Sequence, residues 1–130
     1  MPVTLPILCV RGVSETSKLM SEIFGWKSAH GGEEFDEIVD AGNQRTLWLH
    51  RVDAPEHARF QDNELGGFGR GFAIYVFVDD IDAIYARVKE RGLRLLEDLA
   101  VNPNAGFREF TFAEENGYKF SVAEHPSWWS

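Results

Sequence analysis

"GFAIYVFVDDIDAIYARVKERG", residues 71–92, runs an apolar strand directly into an amphipathic helix. The first half, Phe72 to Val78, is rich in aromatic and β-branched residues, which favour a strand covered on both faces. Asp80 or Asp82 then supplies a short carboxylate able to satisfy the free amide donors of a helix's first turn. Ile81, Ile84, Tyr85 and Val88 recur at helical spacing, and Gly92 supplies the stop.

The same plan occurs earlier. "LPILCVRGVSETSKLMSEIFGW", Leu5 to Trp26, also reads as apolar strand, polar break, helix and glycine. Val10 matches Val78, Val13 matches Ile81, and Gly25 meets Gly92 after a one-residue adjustment. Leu19, Met20 and Ile23 form the apolar stripe of this helix. The stretches C-terminal to the two units are parallel as well. "EFDEIVDAGNQRTLWLHRV" predicts a hairpin turning at Ala41–Gly42–Asn43, and "FREFTFAEENGYKFSVAEH" one turning at Glu114–Glu115–Asn116–Gly117, where Asn-Gly is a strong turn signal. Short strands near Trp26–Ala29 and Leu93–Glu97 complete each half. The chain is thus an internal repeat of strand-helix-strand-strand-strand, an α+β plan of two tandem βαβββ modules. Module 1 is expected over 4–52, a polar, glycine-bearing linker over 53–70, module 2 over 71–125 and a tail over 126–130, all within a single domain spanning 1–130.

The bulk composition narrows the function. With 13 basic and 21 acidic residues the formal net charge is −8, which opposes binding to nucleic acid or to an anionic membrane surface. An acidic chain suits a cationic ligand, and it also suits plain solubility. Cys9 is the sole cysteine, so neither an intrachain disulfide nor a thiolate metal cluster is available. "MPVTLPILCV" has no basic region leading into a long apolar run, and no stretch reaches membrane-spanning length, so a cytoplasmic protein is expected.

The paired modules, with "VDDIDAIYARVKERG" and "GFREFTFAEENGYKFSV" in the second, resemble the vicinal oxygen chelate superfamily, which includes glyoxalase I, extradiol dioxygenases and bleomycin-resistance proteins. The resemblance covers nearly the whole chain. It implies an open, β-barrel-like cleft with helices outside, and its fold hosts several chemistries. One departure is local: where the family often has Asp-Pro before the turn, this chain has Glu114–Glu115.

Metal-dependent members carry His or Glu ligands on four strands. Carried over, those positions fall on Leu5, Trp48, Ala73 and Ser121, none a charged ligand, so no metal and no cofactor is expected. His50 is the one histidine at an inward strand position; His30, His57 and His125 fall in turn, linker and tail. A Cys9–His50 nucleophile has no local signature, and Cys9 in an apolar strand reads as a packing residue. Ser121 has no evident base, and Gly66, Gly67, Gly69 and Gly71 do not join a strand to a helix as a phosphate loop would.

Strand alternation then assigns faces. Phe72, Ile74, Val76, Val78, Leu47 and Leu49 should meet the helices, leaving Leu5, Ile7, Cys9, Trp48, His50, Ala73, Tyr75 and Phe77 on the cleft side. Pairing Phe110 with Ser121 and Phe112 with Lys119 adds those rings and Arg108 to the cleft. The expected ligand site is therefore Trp48, His50, Tyr75, Phe77, Arg108, Phe110, Phe112 and Ser121, an aromatic lining with a few polar points. Three functions fit this reading. The first is a metal-free, antibiotic-resistance-like protein that sequesters a planar aromatic or cationic small molecule. It would work as a homodimer, as the resemblance to bleomycin-resistance members implies. The second is a metal-dependent lyase or dioxygenase using His50 with Glu109, Glu124 or Asp36. The third is a non-catalytic dimerisation or regulatory module. Trp128 and Trp129 should cover an apolar groove, on this chain or on a partner subunit, or else fray.

Overall fold

A computed structural model describes residues 3–53 and 72–129; apart from Asp53, the expected linker lies outside them. The chain divides into two compact units, 1–65 and 66–130.

In the first unit the order is β1 (Ile7–Val10), α1 (Val13–Phe24), β2 (Lys27–Ser28), β3 (Phe35–Val39) and β4 (Arg45–Arg51). The sheet order is β1-β4-β3-β2, with β1 parallel to β4 and the other pairs antiparallel. The second unit repeats this with β5 (Ala73–Val78), α2 (Ile81–Glu90), β6 (Arg94–Val101), β7 (Arg108–Ala113) and β8 (Lys119–Glu124), in the order β5-β8-β7-β6. Neither sheet closes on itself. The tandem βαβββ plan is the one read from the repeat, with β6 running four residues beyond the expected Leu93–Glu97.

Each helix seals one face of its own sheet. Val13, Thr16, Leu19, Met20 and Ile23 of α1 are buried, and the helix packs against β3 and β4. There it meets Leu47, Leu49 and Ile38, all with almost no exposure. Ile81, Ile84 and Val88 of α2 are buried in the same way, against β7 and β8. Asp80 caps α2, its Oδ1 accepting from the Ala83 amide at 3.1 Å. The cap of α1 is Gly12, which offers no side-chain acceptor. Gly25 ends α1 in the left-handed region at φ 73°, and Gly92 follows α2 at φ 69°. A side chain at either would strain the backbone, which explains glycine at both.

Two buried carboxylates organise the loops. Asp36 accepts from the Ser28 hydroxyl at 2.9 Å, the His30 amide at 3.2 Å and the Gly31 amide at 2.7 Å. Burial alone would raise its pKa, but these donors outweigh burial and hold it below the usual carboxylate value. Glu114 accepts from the Tyr118 amide at 3.0 Å and from the Asn116 side chain at 2.8 Å. The departure from Asp-Pro at this turn thus has a structural meaning: the longer carboxylate gathers the turn's own donors.

Asp36→Ala is expected to lower stability by about 2–3 kcal/mol in urea denaturation at pH 7, the scale for hydrogen bonds to a buried charge. Because the folded-state pKa is depressed, this contribution is complete above about pH 4 and fades as pH falls through the folded value. The stability gap between parent and variant should therefore narrow in acid; a constant or widening gap contradicts the assignment.

Candidate functional site

The face of each sheet turned away from its helix follows from strand register. In the first unit Ile7 pairs with Trp48 and Cys9 with His50, while Phe35 pairs with His50 and Glu37 with Trp48. These six side chains share the side opposite Leu47 and Leu49. Trp48 remains 38% exposed. Its indole N–H donates to Glu37 Oε2 at 2.8 Å, and the same carboxylate pairs with Arg45 Nε at 3.1 Å. The Trp48 hydrogen bond is the main cause that lowers the Glu37 pKa, so Glu37 is an anion beside the ring. Phe35 stands edge-on to Trp48, with centroids 5.4 Å apart, and His50 lies 6.4 Å from Phe35. His50 is buried, with Nδ1 3.0 Å from the Arg51 carbonyl; a carbonyl only accepts, so Nδ1 carries the proton.

In the second unit Tyr75 pairs with Ser121 and Phe77 with Ala123 across β5 and β8. Thr111 pairs with Ser121 and Glu109 with Ala123 across β7 and β8. The face away from α2 therefore carries Tyr75, Phe77, Ser121, Thr111 and Glu109. Tyr75 is 48% exposed, and its hydroxyl donates to Glu109 Oε2 at 2.8 Å. That bond is the main cause that raises the phenol pKa, since ionisation would set two anions against each other. The Ser121 and Thr111 hydroxyls bond each other at 2.8 Å in a buried position. Phe77 is ringed by Tyr75 at 5.6 Å, Phe107 at 6.2 Å, His125 at 6.5 Å and Trp129 at 4.4 Å.

Three expected site residues sit elsewhere. Phe110 and Phe112 face the helix. They pair with Val122 and Phe120, not with Ser121 and Lys119, and are 0% and 1% exposed. Tyr85 of α2 meets Phe110 with ring centroids 5.2 Å apart. The cause is a one-residue difference in hairpin register: Ala113 pairs with Lys119, and a one-residue slip moves every side chain to the opposite face. Arg108 shares that side and is a structural tie. Its Nη1 and Nη2 reach the two oxygens of Asp82 at 3.1 and 3.0 Å, and Nη2 also reaches Glu124 at 3.2 Å. Asp82 first, then Glu124, raises the guanidinium pKa. Trp48, His50, Tyr75, Phe77 and Ser121 keep the side assigned from sequence. In the first sheet Glu37 and Phe35 stand beside Trp48, neither of them an expected site residue. In the second, Glu109 is the partner of Tyr75 rather than a metal ligand, and Trp129, expected to cover an apolar groove, lies on Phe77.

The four positions implied for a metal do not fit one. Leu5 and Ala73 have no side-chain donor atom, Trp48 offers only an N–H already given to Glu37, and the Ser121 hydroxyl is engaged by Thr111. Among the described residues no group of three or more His, Cys, Asp or Glu side chains could hold a metal ion. Asp36, one carboxylate considered beside His50, lies on the opposite side of its sheet, paired with Leu49.

Two four-stranded sheets, each built as βαβββ and backed by its own helix, define a tandem-module α+β protein. The family model described as Glyoxalase/Bleomycin resistance protein/Dioxygenase superfamily matches residues 3–122, and the chain belongs to that superfamily. Among solved structures it is similar to a genomically encoded fosfomycin resistance protein, FosX, from Listeria monocytogenes, at 14% identity, TM-score 0.70, and 98% and 95% coverage of this and that chain. It is also similar to TioX from Micromonospora sp. ML1 (17%, TM-score 0.66, 95% and 99%). A superfamily member from Sphaerobacter thermophilus DSM 20745 gives 19% identity, TM-score 0.68, and 96% and 99% coverage. These likenesses show the fold. No curated protein matches.

Phe110→Ala should cost about 3–5 kcal/mol in urea denaturation, as for loss of a fully buried ring. Tyr75→Phe, which removes one half-exposed hydroxyl, should cost no more than about 1 kcal/mol. The reverse order would mean that the faces are misassigned.

Proposed function

We propose that this chain is a non-enzymatic binding protein that sequesters a planar aromatic or cationic small molecule, acting as a cytoplasmic homodimer in the manner of resistance proteins. The observation that carries this reading is a ring–carboxylate pair repeated on the open face of each sheet: Trp48 with Glu37 and Tyr75 with Glu109. An aromatic face attracts a flat ring or a cation, and an adjacent carboxylate adds charge attraction for the cation. Each carboxylate also fixes its ring by a hydrogen bond, so little side-chain freedom remains to be lost on binding. The net charge of −8 acts in the same direction. Support for a small-molecule ligand comes from superfamily membership and from likeness to a protein named for fosfomycin resistance. No metal enters the proposal, because the positions implied for one carry no suitable donors.

Titration with proflavine, a flat cationic dye, should quench tryptophan fluorescence. Trp48→Ala should weaken binding about three- to thirtyfold, the range of a stacked or cation–ring contact. Glu37→Gln keeps an acceptor for the indole but removes the charge, so it should weaken proflavine while leaving a neutral flat ring unaffected. Native mass spectrometry of freshly purified protein reports subunit number, metal and retained small molecule together. A stoichiometric divalent ion would replace this reading with a metal-dependent lyase or dioxygenase. A dimer that takes no dye would favour a dimerisation module.

A further inference from the structure

The ring-bearing face of the second sheet already has an occupant drawn from its own chain. Beyond β8 the backbone passes through His125 and folds into a short turn closed by the Trp129 amide on the Pro126 carbonyl at 3.1 Å. This brings the Trp129 indole onto Phe77, with centroids 4.4 Å apart and planes inclined by 59°. Trp128 stands nearly perpendicular to it at 6.0 Å and points into solvent. The hold is slight. Among the described residues the indole stays half-exposed, and its other ring neighbours are Trp128 at 6.0 Å and His125 at 6.4 Å. Pro126 alone of residues 125–129 is buried, and His125 Nε2 lies 3.0 Å from Asp79 Oδ1, between two exposed groups. Exposed ion pairs contribute little. Beneath this light cover lies a built surface. Tyr75 stacks beside Phe77 with planes 17° apart, Phe107 closes one side edge-on, and Glu109 holds the Tyr75 hydroxyl.

We infer that Phe77, flanked by Tyr75 and Phe107, is a binding site for a flat fused-ring ligand of about indole size, and that residues 126–129 form a built-in plug which such a ligand displaces. The seated indole shows which shape the site accepts. Trp129 and the incoming ring use the same face of Phe77, so they compete for it rather than sandwich the ligand. The apparent affinity of the full chain is therefore lowered by the fraction of molecules with the plug out. For a single ring contact of ordinary strength the reduction is about three- to tenfold. The inference rests on the small-molecule reading above and adds to it a location and a gate.

Proflavine binding is compared, by fluorescence polarisation, for the full chain, a chain ending at His125, and Trp129→Ala. Both altered chains should bind about three- to tenfold tighter than the full chain. In the full chain, dye should also speed hydrogen exchange at the Trp129 amide as the turn lifts away. Equal or weaker binding by the altered chains overturns the plug while leaving the small-molecule reading intact, since Trp129 would then be a bystander or a wall. Slower exchange at Trp129 on adding dye overturns it as well, because the indole would then be closing over the ligand. Dye binding by none of the three chains overturns the small-molecule reading and the plug together.

Discussion

The buried carboxylate of Glu114 braces the turn between β7 and β8, whose length sets the register of the second sheet. It takes the Tyr118 amide while the Glu114 amide reaches back to the Tyr118 carbonyl at 2.9 Å, closing the hairpin just beyond the Ala113–Lys119 pair. From that closure every later pair follows: Phe112 with Phe120, Thr111 with Ser121, Phe110 with Val122. A hairpin displaced by one residue would turn Thr111 and Glu109 toward α2 and push Phe110 and Phe112 out of the core. The cost would be buried polar groups without partners on one side and lost ring burial on the other.

This register divides the aromatic residues by task. Phe110, Phe112 and Phe120 stack in sequence on the helix side, with centroids 6.3 and 5.4 Å apart, and make the core. Trp48, Tyr75 and Phe77 stand on the other sides of their sheets, partly exposed. Two of these displayed rings, Trp48 and Tyr75, have polar handles tied to glutamates, whereas these three stacked core rings are phenylalanines with nothing polar to satisfy. A phenol or indole in the core would need a partner there, and one on the open face finds a carboxylate within reach.

The repeat made the fold legible, because strand, helix and glycine stop recur in the same order around Val10 and Val78. The faces of β4 and β5 were legible too, since alternation within a single strand needs no partner. What alternation alone could not supply was the pairing of β7 with β8, which depends on how many residues the turn consumes. The Asn-Gly signal located that turn, but it fits both a two-residue loop and a longer one with Gly117 at positive φ, and the backbone bonds from Gly117 to Glu114 and from Glu114 to Tyr118 show the longer one. Glu37 and Glu109 went unread as ring partners for a related reason: each is found only by pairing one strand with another. Counting back from the Val39–Arg45 pair would put Glu37 opposite Leu47; a bulge between Ile38 and Val39 brings it opposite Trp48 instead. Trp129 had no such route, because a tail outside any strand has no register from which to infer its contact.

The strand order of each sheet also bears on how the chain is made. In β1-β4-β3-β2 and β5-β8-β7-β6 the strand that joins the first to the rest is the last to be translated. Until β4 leaves the ribosome, β1 has no neighbour and the β2–β3 pair is an unfinished ribbon; the same wait recurs at β8. Each half thus completes in one late step, its first strand joining the others only when its final residues arrive.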